Sequence, residues 1–287
     1  MGRPVTKEEN MKDTYMKMIY NLKKEVDELK AKLNGENPKI KKLEPYVYLL
    51  KQSSPTIIIP KDFFLISIRR NNDTDYDTNT ITEANYENSL LHIEIGGEPL
   101  MNIPVDVAMF PWKYVDLEHP FRLEKPFFIK AGTKITLQGA SGLSDLTFAL
   151  HGYHAKIKGD YSTKVYPFFA VIRIDGDDDR GIYVVPDEYE FYATRIYYFQ
   201  RKVQGSYVNY EDVSTASSIA SANFTYYGYQ QFLPQKLNPA LWTGTREKPY
   251  TFPAPIKCPS GTNIMVEQDT ASNYYRWFIF VGYKKYK

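Results

Sequence analysis

A single cysteine, Cys258, stands in 287 residues. It leaves no internal disulfide framework to hold the chain together. No apolar run approaches the roughly 18 residues of a membrane-spanning helix, so no membrane span is expected. Net charge is nearly absent: 36 Lys and Arg against 34 Asp and Glu leave +2. That balance excludes a nucleic-acid binder held by bulk charge and an acidic tail protein alike, and no direct sequence-specific nucleic-acid contact is expected. The opening MGRPVTKEEN is charged and lacks the apolar core of a secretory signal. The expectation is a soluble chain that works without export.

Catalytic signals are equally scarce. No phosphate-cradling glycine loop, Cys-x-x-Cys pair or Gly-x-Ser-x-Gly elbow occurs. The four histidines, His92, His119, His151 and His154, all precede residue 155. His151 and His154 on a strand would send their rings to opposite faces, which makes a poor metal pair. Cys258 falls at a buried strand position with no histidine near it, which suits a packed thiol. No enzyme activity is expected.

What the chain does hold is rings. Tyr 25, Phe 16 and Trp 3 make 15% of the residues. With Thr, Ile and Val beside them, that is the composition of strands.

Residues 6–33 carry the one helical pattern. Thr6 and Glu9 form a capping box, and Asn34, Gly35 and Pro38 supply a stop. Glu8/Lys12, Asp13/Lys17 and Glu28/Lys32 are acid-before-base pairs four residues apart. Tyr15, Met18, Leu22, Val26, Leu29 and Leu33 form an apolar stripe with a period of eleven. Such a stripe can lie on its own domain or meet another subunit. Because the remainder reads as strand, contact with a partner is the expected role. A membrane surface suits it less, since the polar face carries both signs. Residues 36–44 read as a linker.

After that, the chain repeats. Pro126, Gly132, Thr133 and Ile135 recur as Pro255, Gly261, Thr262 and Ile264; Gly152-Tyr153 recurs as Gly282-Tyr283. Gly96 and Ala108 recur as Gly228 and Ala240, and Pro60 recurs as Pro186. The offsets drift only from 126 to 132. Each copy reads as seven or eight short strands in about 115 residues, bounded by Pro, Gly or Asn. Ala131-Gly132-Thr133 and Ser260-Gly261-Thr262 are matching hairpin turns. The expected fold is mainly β: an N-terminal α-helix and linker (1–44), then two tandem jelly-roll-like β-sandwiches (45–158 and 159–287). The long polar segments 71–88 and 201–222 occupy equivalent places and are expected to meet partners.

Two features invite a ligand. Asp175-Gly-Asp177-Asp178-Asp179 places four carboxylates in five residues. Asp175, Asp177 and Asp179 could supply oxygens to Ca²⁺, the one candidate cofactor. A salt bridge to a subunit and a solvated hairpin are the alternatives. Trp112, Trp242 and Trp277 could form a sugar-binding platform. The repeat, however, sets Trp242 against Phe110 and Trp277 against Phe148, as core positions filled by different rings.

A helix followed by two tandem sandwiches resembles the viral double jelly-roll capsid proteins. The blocks PFFIKAGT (126–133) and FALHGY (148–153) are similar to those of phage head-associated and collar proteins. The resemblance implies a non-enzymatic structural component of a virus particle, of bacteriophage type, assembled in the host cytoplasm and located in the virion. Its partners would be other virion proteins, reached through the helix and the two long segments, and further copies of itself in a homo-oligomer. The alternatives are the double jelly-roll major capsid protein itself and a carbohydrate-binding adhesin or receptor-binding protein.

Overall fold

The strands follow from alternation. In Leu91–Ile95 and Asn263–Gln268 every second side chain is buried, the period that puts one face of a strand on a core. The computed structural model describes residues 43–70, 81–110, 122–139, 141, 146–155, 165–213, 219–227, 230–246, 248–269 and 273–287. In chain order the strands are β1 (Leu43–Lys51), β2 (Thr56–Ile58), β3 (Phe63–Arg70), β4 (Ile81–Thr82), β5 (Leu91–Ile95), β6 (Glu98–Pro99), β7 (Arg122–Ile129), β8 (Lys134–Gly139) and β9 (Thr147–Ala155). There follow β10 (Val165–Asp175), β11 (Arg180–Val184), β12 (Tyr189–Gln204), β13 (Tyr207–Asp212), β14 (Ala222–Tyr226), β15 (Gln230–Gln231), β16 (Tyr250–Cys258), β17 (Asn263–Gln268) and β18 (Tyr274–Tyr286). The single-turn helix α1 is Glu83–Tyr86.

The chain builds the same pair of sheets twice. First come β1-β9-β3-β7 and β2-β8-β5-β6; then β10-β18-β12-β16 and β11-β17-β14-β15. Position by position the two orders coincide, and most connections cross from one sheet to the other, as in a jelly roll. β13 and β4 extend the second copy's larger sheet beyond β12.

Details recur with the order. Gly132 and Gly261 both hold positive φ, at 87° and 75°. Each donates its N–H to the carbonyl that precedes a proline, Ile59 in one copy and Val185 in the other. β3 is bulged between Leu65 and Ser67, and β12 between Ala193 and Arg195. Gly152 and Gly282 lie across from these bulges. A Cβ there would meet the Phe64 carbonyl oxygen at 2.0 Å or the Tyr192 carbonyl oxygen at 1.9 Å. Glycine therefore recurs because the bulged backbone leaves no room for a side chain. Beside it Tyr153 stacks on Phe64 and Tyr283 on Tyr192, with centroids 5.2 and 5.0 Å apart.

Two expectations require correction. The fold is mainly β, and the N-terminal α-helix is not seen. Residues 6–33, with Tyr15, Met18, Leu22, Val26, Leu29 and Leu33, lie outside the described residues, and α1 is the longest helix among those described. A cap and a stripe record local preference, which alone does not establish a helix. The second correction is one of register. Gly152 and Gly282 align Phe148 with Phe278, not with Trp277. A slip of one residue changes the face: Phe148 and Phe278 point into their own cores, whereas Trp277 points out of the second copy toward the first.

Two cores result. One lies inside the second sandwich and draws on Phe168, Ala170, Ile172, Phe278 and Phe280. The other fills the first sandwich and runs on to the outer face of β10, β12 and β18 through Phe169, Val171, Tyr197, Trp277 and Ile279. β10 and β18 are thus covered on both sides, and their apolar runs are continuous. Glu44–His154 and Ser162–Lys287 fall in one compact unit.

Candidate assembly interface

The contact between the sandwiches is built around a short 3-10 turn, Val107–Met109. Asp106 caps it, Oδ1 accepting from the Ala108 N–H at 2.7 Å. The same carboxylate accepts two bonds from the Arg201 guanidinium, at 2.7 and 2.8 Å, and both side chains are wholly buried. Burial alone would raise the Asp106 carboxyl, but the Arg201 charge and hydrogen bonds hold it below the usual carboxylate range. Around this pair Trp277 Nε1 donates to the Tyr86 hydroxyl at 2.9 Å, Tyr197 donates to the Met109 carbonyl at 3.0 Å, and Arg246 donates to the Ala108 carbonyl at 2.8 Å. Arg173 forks onto Glu87.

Next to the turn, Leu100–Asn102 lies along the free edge of β10. The Phe169 N–H donates to the Leu100 carbonyl at 2.9 Å, and Asn102 brackets Val171 with a bond in each direction. β4 pairs with β13 through Ile81–Val208 and Thr82–Tyr207. Part of the two long segments, expected to face partners, is thereby engaged within the chain.

Below Leu100–Asn102 opens a cleft of about 650 Å³. Lys284, almost fully buried, donates to Glu98 at 2.7 Å, and Tyr286 donates to the same oxygen. Rings of Tyr189, Phe168 and Tyr286 surround the ammonium at 5.2–5.3 Å. Burial lowers the Lys284 pKa despite Glu98. For Glu98, burial pushes upward, but the bonds from Lys284 and Tyr286 prevail and the carboxyl sits low.

The second copy of these surfaces is uncovered. Asn238 caps Pro239–Leu241 as Asp106 caps its turn, accepting from the Ala240 N–H at 2.9 Å. Yet Met109 is fully buried, while its counterpart Leu241 is 73% exposed. Likewise the β10 edge is covered by Leu100–Asn102, whereas β1, the matching strand of the first sandwich, exposes Tyr46, Val47 and Leu49 by 42–48%. One partner of each contact is therefore buried inside the chain, and its repeat-mate faces solvent.

The other sequence candidates are dispersed. Asp175 takes a 2.5 Å bond from Arg173, and the Asp178 and Asp179 carbonyls accept from Gln268. Among the described residues no three His, Cys, Asp or Glu side chains gather into a metal-binding group. His154 is held by the Tyr48 hydroxyl and the Asp62 carbonyl. His92 and Asn223 hold equivalent register positions, opposite Gln138 and Glu267, and Asn223 brackets Leu233 with a bond in each direction. His119 and Trp112 lie outside the described residues. Cys258 is buried, and desolvation pushes its thiol up to about 12. Trp242 and Trp277 are both buried, so neither offers a sugar platform.

The interface itself was missed from sequence. One signal was present: FFAVI (168–172) and WFIFV (277–281) are continuous rather than alternating, the mark of strands covered on both faces. No family model matches the chain, and none of the curated proteins matches its sequence.

Proposed function

We propose that this chain is a non-enzymatic structural component of a virus particle, of bacteriophage type, that works by assembling with copies of itself and with neighbouring virion proteins. One observation carries the reading. The contact between the two sandwiches is heterologous, and repeats of its surfaces are exposed, Leu241 with its turn on the second sandwich and the β1 edge on the first. A heterologous contact that repeats closes into a ring or continues as a filament. Segment Gln230–Pro234 of one copy would lie along the β1 edge of the next, with turn Asn238–Leu241 beside it. Two jelly rolls in one chain favour, as a second reading, the shell subunit itself.

Cysteine cross-linking tests the contact. The native thiol is buried, so Leu49→Cys and Leu241→Cys would be the reactive sites. Oxidation of the double variant should give chains covalently joined in series, while each single variant stays mostly unlinked. Double-variant chains that remain monomeric under oxidation sink the assembly. The virion assignment is tested separately, by mass spectrometry of particles purified from lysates of cells that make the chain. Absence of its peptides from such particles removes that assignment.

A further inference from the structure

We propose that the cleft beside β11 captures an extended peptide from another protein, which adds as a strand to the free edge of β11. This goes beyond self-assembly, which uses the β1 edge. Among the described residues β11 ends its sheet and pairs with β17 alone. The Val185 N–H donates to Thr262, and the Gln268 N–H donates to the Asp179 carbonyl. In an antiparallel ladder the intervening residues turn the other way, so Ile182 and Val184 present their N–H and C=O groups to the cleft. Their side chains are 51% and 58% exposed.

Natural sheets usually blunt such an edge with a charge, a proline or a bulge. Here Arg180 puts a charge at the first outward position and Pro186 follows the strand, but the two outward positions that line the cleft, Ile182 and Val184, carry bare aliphatic side chains. The preceding strand β10, the edge of the facing sheet, already holds extended chain, since Leu100–Asn102 lies along it. Main-chain bonds to a strand edge give affinity, and alternate side chains give specificity.

Charge selects the occupant. The charged groups lining the cleft are Glu98, Glu188 and Lys284, and Lys284 is already bonded to Glu98. The carboxylates outnumber the ammonium, so the preferred strand alternates apolar residues, which cover Ile182 and Val184, with basic residues facing the acids. Ile58 on β2, 65% exposed, holds the equivalent position in the first sandwich and serves as the control.

The test uses the full chain and a fluorescein-labelled heptapeptide of alternating Lys and Val, with an alternating Glu and Val peptide beside it. Fluorescence anisotropy should show saturable binding of the basic peptide and at least tenfold weaker binding of the acidic one. Ile182→Lys with Val184→Lys, both solvent-facing, should weaken the basic peptide at least tenfold, while Ile58→Lys changes it less than twofold. Hydrogen exchange at Ile182 and Val184 should slow on binding, an effect that charge attraction elsewhere does not produce. No saturable binding, binding that survives the double substitution, or unchanged exchange at these two amides overturns the proposal. So does a double variant that alters oligomer mass but not peptide affinity, which would make a second copy the occupant.

Discussion

Replacing Asp106 with alanine should separate the two roles that its repeat-mate Asn238 keeps apart. Both residues cap the same turn, with bonds of 2.7 and 2.9 Å to Ala108 and Ala240. Only Asp106 also neutralises a buried guanidinium. Asn238→Ala should therefore cost about 1 kcal/mol, the usual loss of a cap. Asp106→Ala should cost that and, in addition, about 3–5 kcal/mol for leaving Arg201 buried and uncompensated. Asp106→Asn, which keeps a capping oxygen, should fall close to Asp106→Ala, because the missing charge dominates. Exchanging both partners, as Asp106→Leu with Arg201→Met, should recover most of the loss, since a buried pair contributes little net stability over apolar replacements. Equilibrium unfolding in urea followed by circular dichroism supplies the four values. If Asp106→Ala is no more costly than Asn238→Ala, Arg201 does not depend on that carboxylate, and the account of the junction fails.

Other outcomes follow from the same geometry. Gly152→Ala and Gly282→Ala each force a Cβ to within about 2 Å of a backbone carbonyl oxygen. Each should lower stability by about 1–3 kcal/mol or more, and an unchanged thermal midpoint would show that the bulges are misplaced. Acid should weaken the fold: the Asp106 pKa is depressed, so its contribution is complete above the unfolded carboxylate value of about 4 and is lost as pH falls through the folded value. Urea midpoints measured from pH 6 downward should drop in the wild type, and Asp106→Asn should flatten that drop. Melting with excess calcium and with chelator should give the same midpoint, because Asp175 is held by Arg173 and no three acidic side chains gather there among the described residues; a rise with calcium would make Asp175, Asp177 and Asp179 its ligands.

Much of the strand pattern was legible because its markers are local. Prolines 60 and 186, the positive-φ glycines 132 and 261, and the strands between them are visible in the letters and fall where the repeat sets them. The order of strands was not legible, since periodicity says which face a residue occupies but not which strand lies beside it. Trp277 illustrates the limit: aligned one residue out, it became a core ring of its own sandwich, whereas the structure turns it toward Tyr86. The long segments 71–88 and 201–222 were matched by length, and nothing local announced that Ile81–Thr82 would pair with Tyr207–Val208. The site at Asp106 was hidden for the same reason, its partner Arg201 being 95 residues away.

In the proposed assembly, exposed copies of an internal contact join one chain to the next. The most direct measurement is the mass of the full chain in solution, by light scattering after size exclusion at micromolar concentrations. A mass of several chains of 33.4 kDa is expected, with a shift toward a single chain in Leu49→Glu and in Leu241→Glu and circular dichroism unchanged. A wild-type chain that stays a monomer as concentration rises, or an oligomer that neither substitution disturbs, contradicts the assembly.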